Sequence, residues 1–573
     1  MTHGQPVDAR AEDDRQSVER QQYLQFRWSR IVNSIGHSSP SNVRISILAP
    51  VYNTPPNVLE DTIESVLSQR HANWELCLAD DCSTSSETLE VLWKYHGIDA
   101  RIKISRTPRN LHIAGATNYA AEFATGDFVA FLDHDDVLTP DALEKMAGAI
   151  CNDPEGDFFY SDEDKLDFDE TLTEPYLKPD WSPEHLLSVM YVLHLLVVRK
   201  ALFLELGGVR DEYSGAQDYD FALRATARAR KVVHVPQVLY HWRKIEGSAA
   251  AKVDAKPKAL LAGLRSVRDF VKARDPDAEV VEGKFTGSFR VKWSVDLSRP
   301  VTLLILTHSI RRVVSGRGDI LLVEHAVNSI TAKSTFRNFH ILIVDDGLMP
   351  ADVKRRLTQS GAQIEEYSLD PPFNFSEKMN YAFQFVKTED VVLLNDDIEI
   401  ISPDWLEALL AFSRREDIGA VGARLLYPDD RIQHQGIVLG VNGPTAHIFH
   451  NMERGHIGYC GFTHVIRNYS AVTGAVLATR MSLVHEVGGF DPALALDYND
   501  VDFCLRIGAA GYRIVYTPFA ELYHFEGSSA QRAAASEVEK SRFVARWGEM
   551  IERDPYYNPR LPRNRLDCGV TVW

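Results

Sequence analysis

Two stretches of the chain place carboxylates directly after an apolar run: FVAFLDHDD at Phe128–Asp136 and VVLLNDD at Val391–Asp397. Alternate acids at a strand end can point one way and share a divalent cation. Hard oxygen ligands suit Mg2+ or Mn2+, with phosphates completing the shell. The same acids could instead cap the helix that VLTPDALEKM opens. A second acid pair ends another apolar run in each half, LCLADD at Leu76–Asp81 and ILIVDD at Ile341–Asp346. A carboxylate there could accept from an N–H of a nucleobase. Further on, QDYDFALR at Gln217–Arg224 and NDVDFCLR at Asn499–Arg506 each enter a helix with an acid in second place. Such an acid is a helix cap or, facing a cleft, a general base toward a hydroxyl. Tyr240-His241-Trp242-Arg243 and Tyr523-His524 follow. The imidazoles are able to ligate metal, bind a phosphate or sit as structural groups. Arg243 offers a cation for an anionic substrate.

The elements that must position these groups come in a repeated order. RISILAP (Arg44–Pro50) and PVTLLIL (Pro300–Leu306) read as buried parallel strands, and an amphipathic segment follows each. The two acid-tipped strands, the acidic helix and a last strand (VPQVLYH at Val235–His241, TPFAELYH at Thr517–His524) then recur in the same sequence. The offset between halves drifts from 256 (Ile45 to Val301) through 262 (Asp135 to Asp397) to 283 (His241 to His524). Preserved order with drifting spacing marks a duplicated fold with loop insertions. Alternating strands and helices predict a mostly parallel sheet with helices on both faces in each half. Ligands of such sheets sit beyond the carboxyl ends of the strands, where both acid pairs lie. The expected organisation is a polar, helical extension (1–43), a first domain (44–250), a connecting helix and strand (251–299), a second domain (300–530) and a C-terminal helix and tail (531–573).

With 62 Lys and Arg against 80 Asp and Glu, the chain of 573 residues carries −18. That field disfavours nucleic-acid binding. Six cysteines without a CxxC pair form no disulfide framework and point to a reducing compartment. The N-terminus lacks the apolar core of a signal peptide. The longest apolar run, SVMYVLHLLVV at Ser188–Val198, is too short to span a membrane and reads as a buried strand or helix. A cytoplasmic location is expected, compatible with peripheral contact at a membrane. His434, His447, His450, His456 and His464 crowd the second half, but no ligand set of usual zinc spacing completes them. Trp181 and Trp405 read as core residues or as platforms for sugar rings.

Taken together, SILAPVYN, LADDCS, GATNYAAEFATGDFVAFLDHDD and QDYDFALR resemble a family 2 glycosyltransferase of the GT-A fold across 44–250. FNFSEKMN, LLNDDIEIISPDWL, VGGFDPAL, NDVDFCLR and ELYHFEGSS resemble the same family across 300–530, in the type that builds bacterial O-antigen and other surface polysaccharides. YSDEDK (Tyr160–Lys165) and KPDWSPEHLLS (Lys178–Ser188) are similar to its tandem members. The resemblance implies an α/β fold of two tandem GT-A domains. It implies Asp218 and Asp500 as catalytic bases, with Gln217 where the family usually has Glu. Donor contacts would be Pro50, Tyr52, Asp81, Asp133, Arg243, Thr307, Asp346 and Asp396. Metal ligands would be Asp135, Asp397, His241 and His524, holding Mg2+ or Mn2+. The implied reaction transfers a sugar with inversion from a nucleoside-diphosphate donor to a glycan or lipid-linked glycan. Both halves are expected to be active. The alternative is one active domain beside a catalytically silent carbohydrate-binding or assembly domain.

Overall fold

The structure is a computed structural model that describes residues 42–245, 257–368, 373–525 and 537–569. The extension read over 1–43 falls almost wholly outside these residues.

The first sheet is built from β1 (Ile45–Val51), β2 (Trp74–Asp80), β3 (Ile102–Arg106), β4 (Phe128–Phe131), β5 (Val137–Leu138), β6 (Gly156–Leu166), β7 (Leu172–Tyr176), β8 (Leu196–Arg199) and β9 (Lys231–Arg243). Its order is β3-β2-β1-β4-β8-β6-β9-β5, with β7 beside β6. Only β8 and β5 run against the other strands of that path. All seven residues of β1 are buried. Leu48 packs into one apolar cluster, while Ile47 and Ala49 pack into another. A strand apolar on both faces belongs inside a sheet covered on both sides, which is why RISILAP shows no alternation.

A connecting helix (Pro257–Lys272) and a hairpin of β10 (Glu279–Glu282) and β11 (Phe289–Lys292) lead into the second half. Its strands are β12 (Val301–Thr307), a hairpin of β13 (Arg311–Val314) and β14 (Gly318–Leu321), β15 (Phe339–Asp345), β16 (Gln363–Glu366), β17 (Asp390–Asn395), β18 (Ile398–Ile400), β19 (Ile418–Leu426), β20 (Ile432–His434), β21 (Ile437–Leu439), β22 (Thr445–His447), β23 (Arg467–Asn468), β24 (Val476–Arg480) and β25 (Arg513–His524). The main order is β16-β15-β12-β17-β24-β19-β25-β18. It repeats the first sheet strand for strand, and again only two strands of the path, β24 and β18, are reversed. The drifting offsets of the sequence are therefore a repeated topology.

The two halves are packed together. Val267 of the connecting helix, Phe289 of β11, Val129 of the first sheet and Leu303 of the second share one buried cluster. Polar contacts cross as well: Arg513 Nη2 lies 2.9 Å from Glu184 Oε1, and Ser182 Oγ donates to Asn468 Oδ1 at 2.8 Å. The segment after the last helix (Glu537–Glu552) stitches the halves. Asp554 accepts from Leu439 N and Ser470 Oγ in the second half. Four residues on, Asn558 donates to both oxygens of Asp162 and to Lys178 O in the first. Among the described residues no helix is long and apolar enough to cross a membrane.

Candidate active sites

In the first half the acids converge as the strand-end rule requires. β2 and β4 both pair with β1 in parallel, so Asp81 and Asp133 leave the same edge of the sheet. Asp81 is buried; its Oδ1 accepts from Leu111 N (2.6 Å) and Thr107 Oγ1 (3.0 Å). Pro50 is buried in β1 opposite Ala79, and the ring of Tyr52 is exposed just beyond it. Burial pushes the Asp133 carboxyl upward. Asp135 and Asp218 lie close enough to push it further, while His194 pulls it back. Burial also raises the Asp218 carboxyl, and His194 again opposes the shift.

The helix Gln217–Arg228 separates its two acids by role. Asp218 accepts only from the adjacent Tyr219 N, at 2.8 Å, among the described residues. Asp220 is locked into an ion network with Arg210 and Arg224. The second half repeats the division. Asp502 is held by Arg506, Arg546 and Trp547. Asp500 accepts from Val501 N and from Gly474 N, both at 2.8 Å. A Cβ at Gly474 would stand 3.2 Å from Asp500 Cβ, so glycine admits this close approach.

Among the described residues, one group of donors in the first half stands close enough to share a cation: Asp133, Asp136 and His194, with one ligand atom from each within 4.8 Å of the others. His241, an expected ligand, meets Asp164 through Nδ1. The carbonyl of Asp135 accepts from Arg243 Nε at 2.9 Å. Arg243, expected at the donor, meets two acids. Its Nη2 pairs with Asp61 at 2.9 Å, and its backbone N–H donates to Asp136 Oδ1 at 2.7 Å. One expectation is corrected: Ser188–Val198 is not a single strand or helix, because a short helix (Pro183–Ser188) ends, an irregular crossing carries His194, and β8 begins at Leu196. Backbone atoms of that crossing are held by side chains, with His194 N donating to Glu163 Oε2 at 2.9 Å. A single histidine inside an apolar run was the available signal for His194.

In the second half the two expected ligands, Asp397 and His524, lie side by side. His524 Nε2 lies 3.0 Å from Asp397 Oδ1 and 3.0 Å from Asn395 Nδ2. Thr307 Oγ1 donates to Asp396 Oδ2 at 2.6 Å. Burial, then repulsion from Asp397, raises the Asp396 carboxyl to about 6. Asp346 differs from Asp81. Buried Lys378 pairs with its Oδ1 at 2.7 Å and His308 with its Oδ2. Although burial raises that carboxyl, these two partners hold it below the ordinary range. The crowded histidines scatter. His434 and His447 approach through their Nδ1 atoms at 3.0 Å, whereas His450 bonds Tyr427 and His464 bonds Thr463. Trp405 is core, its Nε1 donating to Ser334 Oγ.

Both donor sets, carboxylate oxygens with an imidazole nitrogen, fit Mg2+ or Mn2+. They offer no thiolate, which a structural zinc site usually includes.

Comparison with known proteins agrees with this geometry. Residues 46–203 match the model described as Glycosyl transferase family 2, and residues 370–547 match Glycosyltransferase like family 2. An uncharacterized protein of Sinorhizobium fredii, y4gI, is 38% identical over 91% of this chain and 58% of its own length. The O-antigen biosynthesis protein RfbC of Myxococcus xanthus is 32% identical over 92% of this chain and 41% of its own length. The chain thus spans about half the length of these curated relatives. A crystal structure of S. aureus TarS 1-349 aligns at 19% identity and TM-score 0.33, over 40% of this chain and 66% of that one.

Proposed function

Since the chain belongs to the family 2 glycosyltransferases, we propose that it transfers sugars from nucleoside-diphosphate donors to a growing bacterial surface glycan, with inversion and with one active site in each half. The supporting observation is the pair of acids on each acidic helix. One is spent on arginines, and the other, Asp218 or Asp500, carries only backbone N–H bonds. In the first half Asp218 lies near enough to the strand-end Asp133 to raise its carboxyl.

Asp218 takes the proton of the acceptor hydroxyl as that oxygen attacks the anomeric carbon. The bond to the diphosphate breaks on the opposite face, so one displacement inverts the centre; inverting glycosidases place their base by the same geometry. Asp133, Asp136 and His194 in the first half, and Asp397 and His524 in the second, would hold a divalent cation. When bound, it offsets the charge that develops on the leaving diphosphate. Asp81 keeps Oδ2 without a hydrogen bond among the described residues, available to a nucleobase N–H. Asp346 has both oxygens paired, so the second site would read its nucleotide differently. The acceptor would be a glycan or lipid-linked glycan met at the inner face of the plasma membrane. The relative RfbC, an O-antigen biosynthesis protein, favours that class.

The test is incubation with a panel of nucleotide sugars and glycan acceptors, with and without chelator, followed by linkage analysis. Two distinct, cation-dependent linkages are expected. Nucleotide-sugar binding with no transfer to any acceptor would favour a binding scaffold.

A further inference from the structure

The run YSDEDK on β6 and the lysine of KPDWSPEHLLS take part in no step above, yet they are among the most deeply buried charges in the chain. Asp162, Glu163 and Asp164 are consecutive, and each is no more than 3% exposed; Lys178 is 0% exposed. Burying an ammonium costs several kcal/mol unless every proton is matched. Here all three are: Lys178 Nζ donates to Glu163 Oε2 (2.9 Å), Val192 O (2.8 Å) and His194 O (2.7 Å). Glu163 Oε2 also accepts from the backbone of His194 at 2.9 Å and stands 3.4 Å from its Nδ1. The pair therefore grips His194 by its backbone N–H and C=O and sets the Glu163 carboxylate beside a buried ring nitrogen, Nδ1, that makes no hydrogen bond among the described residues.

The other side of the ring is equally determined. It stacks on Tyr240 at 4.5 Å and 12°. The Tyr240 hydroxyl in turn donates to Asp136. A ligand atom of His194 falls within 4.8 Å of those of Asp133 and Asp136. A carboxylate behind an imidazole that faces two more carboxylates is the arrangement in which metal-ligating histidines are held. The clamp is itself fixed from behind. Asp162 Oδ1 accepts from Lys178 N at 2.8 Å, and Asn558 of the C-terminal segment donates to Lys178 O at 2.8 Å. The second half has no counterpart: Phe128 pairs with Arg199 as Asp390 pairs with Arg480, which sets Ala475 at the place of His194.

We propose that His194 is a ligand of the first half's divalent cation through Nε2, and that Glu163, held by Lys178, is its positioning residue. This rests on the cation-dependent transfer proposed above.

The probe is Mn2+ alone, titrated into the full chain and followed by loss of the free-ion paramagnetic resonance signal. His194→Gln is expected to weaken one class of sites by about 10–100-fold, leaving the other unchanged. Glu163→Gln should weaken the same class by a comparable factor, although it leaves every direct ligand in place. Should Glu163→Gln strand Lys178 and unfold the chain, the double variant Glu163→Gln/Lys178→Met removes both charges and should show the same loss. Unchanged Mn2+ affinity in His194→Gln would overturn the ligand assignment while leaving the cation reading intact. Unchanged affinity in both Glu163 variants would overturn the positioning role. If the unaltered chain binds no Mn2+, the cation reading itself fails and this inference with it.

Discussion

Two aspartates one half-turn apart on a single helix should respond to the same substitution in opposite ways. Asp218→Asn removes a group whose recorded bond is the 2.8 Å contact from Tyr219 N, which an amide oxygen can also accept. Its carboxyl is already disfavoured by burial, so the neutral amide should leave stability within about 0.5 kcal/mol of the parent. The transfer catalysed by the first half should fall by about 10²–10⁴, the usual contribution of a general base. That corresponds to about 3–5 kcal/mol of barrier. Asp220→Asn does the reverse. It breaks the pairs with Arg210 and Arg224, whose partner acid is buried. The cost should be about 3 kcal/mol, near the low end for a buried pair because Arg210 is partly in water. For a unit of this size that lowers the melting temperature by about 6–12 °C. Calorimetry and a labelled-sugar transfer assay on the two variants separate the effects. An Asp218→Asn chain that keeps most of its first-half transfer, or one that melts several degrees early, would refute the division of roles.

Other outcomes follow from the same structure. Because burial raises the Asp218 carboxyl, the base is lost by protonation earlier than an exposed aspartate would be. First-half kcat/KM should therefore fall with decreasing pH on a limb set above the ordinary aspartate range, and a limb within or below that range would contradict the assignment. Lys378→Met leaves Asp346 buried with one cation fewer and should cost about 3–5 kcal/mol in denaturant unfolding; a neutral effect would mean that His308 suffices. Asn558→Ala strips the donor that spans both oxygens of Asp162 and should cost about 1–3 kcal/mol, read in the same assay.

The elements that carry the chemistry were legible because each is a short apolar run that ends in acid. FVAFL, LCLA and ILIV are buried on both faces, so their ends fall on one sheet edge and their acids meet there. The helix acids Asp218 and Asp500 were legible from the DxDF spacing, but that spacing alone does not say which acid is free; the arginines that occupy Asp220 and Asp502 decide it. His194 was hidden because its neighbours in sequence are apolar, while its partner Glu163 is 31 residues away on another strand. The capture of Asp346 by Lys378 and His308 was hidden for the same reason: nothing in ILIVDD announces a lysine from a distant helix. The partner of Arg243 was hidden likewise: local sequence shows a cation but not Asp61, which pairs with it.

The central claim, two working transfer sites on one chain, is tested most directly by the products of Asp218→Asn, Asp500→Asn and the double variant, once the donors are known. Linkage analysis should show each single variant lacking a different bond, and the double variant making neither. If Asp500→Asn yields the full product of the unaltered chain, the second half is not a transferase; if the double variant still elongates the acceptor, neither aspartate is the base.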